Sequence, residues 1–277
     1  MIVKKDIHTF RDAHRILLRK NDYAYILPHP ALRGHISNYT VTFPSREIIS
    51  DCYTVIPHGS ATLVFSHDTD GWYGRLFGPS TRPCMVGALA NQSRMLLITE
   101  FQPAGLSAFT GMNQKELANQ IVPFTAINLT LNRWILQALE SAESLDELIA
   151  FLDKRLLDNL HAAYPAELQI ATRLVIERAG NVSGKELSAA VYYSQRHINR
   201  ILENHLGMNM KTFSRMVRVN KAVRLIQNPQ YSLTRVSQET GFYDLAHLIH
   251  EFKSVCGVTP QAYRSNMSDF YNEVAKF

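Results

Sequence analysis

The chain has 277 residues, of which 46% are hydrophobic and 19% charged, and its formal net charge is +5. This length suits two domains of ordinary size, and the composition is that of a folded globular protein rather than a disordered chain. No run of eighteen apolar residues occurs, which argues against a transmembrane helix. The first twenty residues lack the apolar stretch of a secretory signal, so we expect none.

Cysteine and histidine usage predicts neither a disulfide framework nor a metal site. Cys52, Cys84 and Cys256 are far apart and form no C-x-x-C pair. This odd, scattered set favours a reducing cytoplasm and small buried side chains over zinc or redox chemistry. No metal and no cofactor are therefore expected. Four histidines of the N-terminal half also lack metal-ligand spacing: His29, His35, His58 and His67.

The positive charge is concentrated in the C-terminal part. Residues 171–277 hold 14 Lys and Arg against 8 Asp and Glu, whereas residues 1–170 hold 15 against 16. A basic C-terminal part favours a nucleic-acid partner there, and a near-neutral N-terminal part favours a neutral ligand or a protein.

The N-terminal half predicts an antiparallel β-barrel or sandwich followed by helices. Turn residues such as Asp70-Gly71 and Gly78-Pro79 separate short β-branched and aromatic runs. Ser144 and Glu147 form a capping box before an amphipathic helix over residues 145–160. That helix either packs on its own barrel or forms a dimer contact. The five runs are NYTVTF, CYTVI, ATLVF, GRLF and MLLITEF.

The chain after residue 160 predicts only helices. Gly180, Gly207 and Gly241 mark helix ends, while Ser194 and Asp244 are good N-caps. The predicted fold class is therefore α+β, with an N-terminal barrel and an all-α C-terminal domain. The expected helices lie near 166–179, 184–191, 195–205, 210–227, 233–239, 245–255 and 260–268.

A weak internal repeat of 50 residues indicates two helix-turn-helix units. His197-Ile198 corresponds to His247-Leu248, and Leu202 corresponds to Phe252. In this motif the second helix enters the DNA major groove, and two such helices on one DNA face lie about 34 Å apart. A connecting helix over residues 210–227 spans about 27 Å, which is of the same order as this separation.

The segment Gly241 to Arg264, GFYDLAHLIHEFKSVCGVTPQAYR, closely resembles the signature of the AraC/XylS family of bacterial transcription regulators. The upstream stretch ELSAAVYYSQRHINRILENHLG resembles the first helix-turn-helix of that family, so the resemblance covers about residues 166–266. Ala246, Leu248 and His250 depart from the usual Ser, Phe and Arg. Tyr192 stands where the first turn normally has Gly, which predicts a strained or differently shaped turn.

The N-terminal part resembles, over about residues 23–125, a domain of unknown function often found before AraC-type helices. The residues on which this resemblance rests include Ile56-Pro57-His58-Gly59 and Gly78-Pro79-Ser80-Thr81-Arg82-Pro83. Relatives of this kind imply a small cupin-like barrel with sensing or dimer-forming roles. We therefore predict a sensing or dimerisation domain over residues 1–160 and a DNA-binding domain over residues 161–277.

The predicted DNA contacts lie opposite the core positions of the two reading helices. Arg pairs with guanine and Asn with adenine in the major groove, and apolar side chains touch thymine methyl groups. The second helix should be the less discriminating one, because its candidates are mostly apolar. By family position, Lys211, Arg218 and Arg235 are further phosphate contacts. The candidates are Ser194, Gln195, Arg196, Asn199 and Arg200 in the first unit and Leu245, Ala246, Ile249, His250 and Lys253 in the second.

The sequence thus predicts a non-enzymatic, bacterial, cytoplasmic and nucleoid-associated regulator. Double-stranded DNA is the expected partner, with a small-molecule effector or a protein at the barrel. RNA polymerase and a second copy of the chain stay open as partners, and no membrane partner is expected. One alternative is an enzyme with metal-dependent cupin-type chemistry. Another is a regulator whose N-terminal domain binds a protein rather than a metabolite.

Overall fold

The fold is described from a computed structural model that covers residues 2–161 and 164–271, with the side chains of 269–271 left out. Ala162 and Ala163, which lie just after the predicted domain boundary at residue 160, are outside the described residues.

The strands form one large and one small sheet. The large sheet is antiparallel throughout and has the order β1-β2-β3-β8-β5-β6-β9, while the small sheet has the order β10-β4-β7. The strands among the described residues are β1 Ile16–Arg19, β2 Tyr23–Ile26, β3 Ile36–Thr42, β4 Thr54–Val55, β5 Thr62–His67, β6 Trp72–Phe77, β7 Cys84–Met85, β8 Met95–Phe101, β9 Ile121–Pro123 and β10 Phe270–Tyr271.

The helices follow the predicted pattern. Three short ones connect strands, two longer ones cover the large sheet, and seven form the C-terminal part. The α-helices among the described residues are α1 Gly87–Ala90, α2 Ser107–Thr110, α3 Gln114–Leu117, α4 Leu129–Ser141, α5 Leu145–Asp158, α6 Ala166–Glu177, α7 Gly184–Val191, α8 Gln195–Leu206, α9 Met210–Ile226, α10 Leu233–Thr240, α11 Leu245–Cys256 and α12 Pro260–Ser265.

The α+β class and the antiparallel sheet are confirmed, but the barrel is not closed. The terminal strands of the large sheet, β1 and β9, do not pair with each other. Both are short: β1 carries a register shift near Ile16, and β9 ends at Pro123, which has no N–H to donate. Such strands end pairing at a sheet edge instead of extending it.

The two faces of the large sheet differ because side chains alternate along each strand. Leu63 and Phe65 of β5 are buried against the helix-covered side, whereas Thr62 and Ser66 point to the opposite side. The apolar stripe of α5 packs on the first side, so this helix serves the core of its own sheet. The second side faces a cavity that the small sheet helps to close.

A buried ionic cluster fixes α5 to the sheet. The carboxylate of Asp153 lies 2.7 Å from Nη2 of Arg15, accepts the hydroxyl of Tyr39 at 3.0 Å and accepts the backbone N–H of His29 at 2.9 Å. Burial, together with the neighbouring Asp153, raises the pKa of Tyr39 well above its ordinary value. Tyr39 therefore acts here as a hydrogen-bond donor.

The C-terminal helices form a second hydrophobic core around α9. Phe213, Met216 and Ile226 of α9 are fully buried in it. Ile56 and Ala104, which come from the N-terminal half, belong to the same core. The two halves of the molecule are therefore joined by apolar packing as well as by the chain.

Candidate nucleic-acid interface and cavity

Two helix pairs with capped second helices form the candidate DNA-reading surface. The hydroxyl of Ser194 accepts the N–H of His197 at 3.3 Å, and the carboxylate of Asp244 accepts the N–H of His247 at 2.7 Å. These are ordinary N-cap bonds, which fix the start of α8 and of α11. Both N-cap residues are exposed, so the first turns of both helices are open to solvent.

The first reading helix presents its polar side outward. Ile198 and Leu202 are buried, as the periodicity predicted, whereas Arg196 and Arg200 are exposed. Nη2 of Arg200 lies 3.1 Å from Nδ1 of His197, which orients the guanidinium along the helix. Arg196 and Arg200 are thus both placed to meet a ligand in the groove.

Two other candidates of α8 have contacts within the protein. Asn199 is half-buried, and its Oδ1 accepts the N–H of Met210 at 3.0 Å. The carboxamide of Gln195 lies directly over Gly184 at the start of α7. A direct base contact by either residue stays a prediction. To make such a contact, Asn199 would have to release Met210, and Gln195 would have to leave its position over Gly184.

The second reading helix is held firmly on α9. Leu248 and Phe252 are buried, and the carboxylate of Glu251 lies 3.2 Å from both Arg215 and Arg218. The remaining candidates line the outer side of α11. Leu245 is half-buried, Ile249 is 36% exposed, and Ala246, His250 and Lys253 are also exposed.

Arg218, which family position predicts to contact phosphate, makes internal contacts in the structure. Its side chain is only 17% exposed and donates to the carbonyl of Gly180 at 3.1 Å and to Oδ1 of Asn181 at 3.2 Å. A third bond, to Glu251, completes a cross-link between α9, α11 and the turn after α6. The sequence could not show this, because its partners come from three separate segments.

Sequence reasoning missed two tyrosines that flank the reading helices. Tyr193 and Tyr243 occupy the same position in the two repeats, immediately before the N-cap residues. Tyr243 is 92% exposed and Tyr193 is 45% exposed, with its ring stacked on His197 at 4.3 Å. Their equal spacing of 50 residues was the available signal.

The first turn carries the backbone strain that the sequence predicted at Tyr192. This residue ends α7 with φ 58° and ψ 29°, the left-handed conformation, and 92% of it is exposed. Gly241 has the corresponding role after α10, at φ 78°. A left-handed non-glycine residue costs roughly 1–2 kcal/mol, which glycine avoids.

Tyr192→Gly is therefore expected to raise the free energy of unfolding by up to about 1 kcal/mol. Gly241→Ala should lower it, because a Cβ there would meet the side chain of Asn181 at 2.5 Å in addition to the backbone strain. Urea denaturation of both variants beside the wild type gives the comparison. A loss of stability in Tyr192→Gly would contradict the assignment of strain to this turn.

A cavity of about 500 Å³ lies between the large sheet, the small sheet and the segment after α12. Most of its wall is apolar, with Val64 and Ile98 at its centre, and Arg75 and Glu100 also reach it. Glu100 is 5% exposed and accepts the hydroxyl of Thr62 at 3.3 Å. A concave, largely apolar space with a few charged groups is the usual form of a small-molecule site.

The N-terminal half also touches the first reading helix directly. Nζ of Lys115, on α3, lies 3.1 Å from Glu203, and the hydroxyl of Ser107 lies 3.2 Å from Nδ1 of His205. Gly207, which ends α8, lies against the backbone of Gln114. These contacts involve the C-terminal end of α8, whereas Ser194, Gln195, Arg196 and Arg200 near its start are exposed.

This contact predicts a loss of stability in acid. Burial lowers the pKa of His205 from its ordinary 6.5, so the neutral ring is the form that fits beside Ser107. Above pH 6.5 the stabilisation is fully present; as pH falls below 6.5, proton uptake in the unfolded or undocked state removes it. The thermal midpoint of the wild type should therefore fall more than that of His205→Gln between pH 7.5 and pH 5.5.

Burial also lowers the pKa of His35, but both the wild type and His205→Gln retain this residue. The difference in acid sensitivity between the two proteins therefore reports on the His205 contact. Equal acid sensitivity of the wild type and His205→Gln would show that the His205 contact has no part in it.

Comparisons with known proteins cover the two halves separately. Residues 187–266 match a family described as a helix-turn-helix domain, and residues 24–123 match a family described as a domain of unknown function. An uncharacterized HTH-type transcriptional regulator YisR of Bacillus subtilis (strain 168) is 27% identical over 84 residues, 30% of this chain and 29% of the relative. The HTH-type transcriptional regulator GlxA of Rhizobium meliloti (strain 1021) is 30% identical over 103 residues, 36% of this chain and 31% of the relative.

The alignments thus span less than a third of each of these curated relatives. Among solved structures, ToxT from Vibrio cholerae covers 77% of this chain and 92% of its own, with 10% identity and a TM-score of 0.43. A probable AraC family transcriptional regulator from Rhodopseudomonas palustris covers 36% of this chain and 96% of its own, with 17% identity and a TM-score of 0.34.

Within residues 2–161 and 164–271 no group of three or more His, Cys, Asp or Glu side chains is arranged to hold a metal ion. No helix in the same ranges combines the length and the apolar character needed to cross a membrane.

Proposed function

We propose that this chain, whose residues 187–266 belong to the AraC-type helix-turn-helix domain family, is a DNA-binding transcription regulator acting in the bacterial cytoplasm. The observation that carries the proposal is the exposure of two capped helices, α8 and α11, at equivalent points of a 50-residue repeat. Each helix enters one of two successive major grooves.

The two reading helices have different tasks in this proposal. Arg196 and Arg200 of α8 pair with bases or phosphates, and the helix N-termini bind phosphate through their free N–H groups. On α11 the exposed Ala246 and Ile249 meet thymine methyl groups, and Lys253 meets the backbone. The first unit therefore carries most of the sequence discrimination.

The N-terminal part is the control element of the proposed regulator. We assign residues 1–160 to a sensing domain and residues 161–277 to the DNA-binding domain, a division supported by the two separate hydrophobic cores. The cavity holds a small-molecule effector, since it is concave and largely apolar and carries a few charged groups. No catalytic step is assigned to it.

The test is DNA binding by fluorescence anisotropy, with duplexes from the region upstream of the gene. Arg196→Ala and Arg200→Ala should each weaken specific binding about 5- to 150-fold, the range expected for losing one good base contact.

Arg173→Ala is the matched control, because Arg173 on α6 is equally charged and 72% exposed but pairs with Glu177 on its own helix. Its affinity should stay close to that of the wild type. Equal affinities of the wild type, Arg196→Ala and Arg200→Ala, or no specific binding at all, would exclude the proposed interface.

A further inference from the structure

The segment Ile56–Ser60, here called the cavity loop, has one side in the cavity and the other side in the DNA-binding domain. It joins β4 to β5. Pro57, His58 and Ser60 line the cavity, whereas Ile56, although it also reaches the cavity, is buried in the core formed by the C-terminal helices. A displacement of the cavity wall therefore moves a segment that also packs against the C-terminal helices.

On the cavity side, the loop is tied to the buried carboxylate of Glu100. Nε2 of His58 lies 3.8 Å from Oε2 of Glu100, and Nδ1 of the same ring lies 2.8 Å from the hydroxyl of Ser60. The His58 ring thus lies between the carboxylate of Glu100 in the cavity wall and the hydroxyl of Ser60 in its own loop. Any ligand group that competes for Glu100 or His58 disturbs this arrangement.

On the other side, the loop is tied to α9. Nδ2 of Asn220 donates to the carbonyl of Pro57 at 2.9 Å and to the carbonyl of Met216 at 2.9 Å, so one amide bridges the loop and the helix. Gly59 adopts φ +72°, and a Cβ at this position would lie 3.2 Å from the ring of Phe213. The loop and the helix are in close contact and leave little room for independent movement.

Helix α9 is the element that both reading units share. It packs on α8 of the first unit and on α10 and α11 of the second. Moving α9 relative to the sensing domain therefore changes how both reading helices are presented to DNA.

We propose that the state of the cavity wall is transmitted to DNA binding within a single chain, from Glu100 and His58 through the cavity loop to Asn220 on α9. The proposal rests on the proposed function, in which the cavity holds the effector. The effector acts by shifting the cavity loop, so no second copy of the chain is needed for its signal to reach the reading helices.

A second contact between the cavity and the DNA-binding domain supports the same route. Met267 and Ser268, which follow α12, line the cavity themselves. The strand after them, β10, pairs in parallel with β4, which leads directly into the cavity loop. The DNA-binding domain therefore completes the wall of the cavity at the place where the loop begins.

A double-mutant cycle tests the route without knowledge of the effector. Glu100→Gln removes the charge that faces His58, and Asn220→Ala removes the bridge to Pro57. Specific DNA affinity of the full chain is measured by anisotropy for the wild type, both single variants and the double variant. Glu100→Gln should change the affinity about two- to thirtyfold in the wild-type background, and clearly less when Asn220 is Ala.

Asn228→Ala is the matched control, since Asn228 is exposed in the turn after α9 and its side chain accepts only the nearby N–H of Gln230. The effect of Glu100→Gln should be undiminished in that background. Ser60→Ala, a smaller change that removes the bond to His58, provides a second perturbation if Glu100→Gln does not fold.

The outcomes separate the two proposals. If Glu100→Gln and Ser60→Ala leave DNA affinity unchanged, or if their effects are the same with and without Asn220→Ala, the route through the cavity loop is wrong. In either case Arg200→Ala should still weaken binding. If neither Arg196→Ala nor Arg200→Ala has an effect, the proposed function itself fails.

Discussion

The burial of α9 is the constraint on which the rest of the structure depends. This one helix packs against α6, α8, α10, α11 and α12 and also meets the cavity loop. Its fully buried residues lie on several sides of the helix and not on a single stripe, as expected of a helix enclosed by others. The positions of both reading helices follow from where α9 lies.

Polar contacts fix the orientation of α8 and α11 within this packing. Glu251 binds Arg215 and Arg218 of α9 in a partly buried setting, so α11 cannot rotate freely about its apolar face. The first unit has a different restraint: α8 contacts α3 through Lys115 and Glu203, and it contacts α2 through Ser107 and His205. Helix α11 is thus fixed among the C-terminal helices, whereas α8 is fixed partly by the N-terminal half. In the proposed regulator this makes the first unit the more open to control.

The sequence predicted most of the elements and the repeat, because both leave periodic signals. The seven C-terminal helices begin and end within about three residues of their predicted limits, since N-cap residues such as Ser194 and glycines such as Gly207 mark them. The β-branched and aromatic runs ATLVF and MLLITEF likewise located β5 and β8. The strained turn at Tyr192 was predicted from the missing glycine.

Contacts between distant segments could not be predicted from the sequence. Nothing in the local pattern shows that Arg218 turns inward to Glu251, that Asn199 supports Met210, or that the cavity loop meets Asn220. The open sheet was missed for a similar reason, because closure depends on whether β1 and β9 meet. Each of these features is decided by tertiary packing, which hydrophobic periodicity and turn signals do not encode.

Hydroxyl-radical footprinting of the full chain on a specific duplex tests the central claim most directly. Two capped helices presented by one α9 should protect two backbone regions on the same face of the DNA, centred about one helical turn, or 10 base pairs, apart. Arg200→Ala should weaken one of the two protected regions selectively. A single protected region, or two regions on opposite faces of the duplex, would contradict the arrangement.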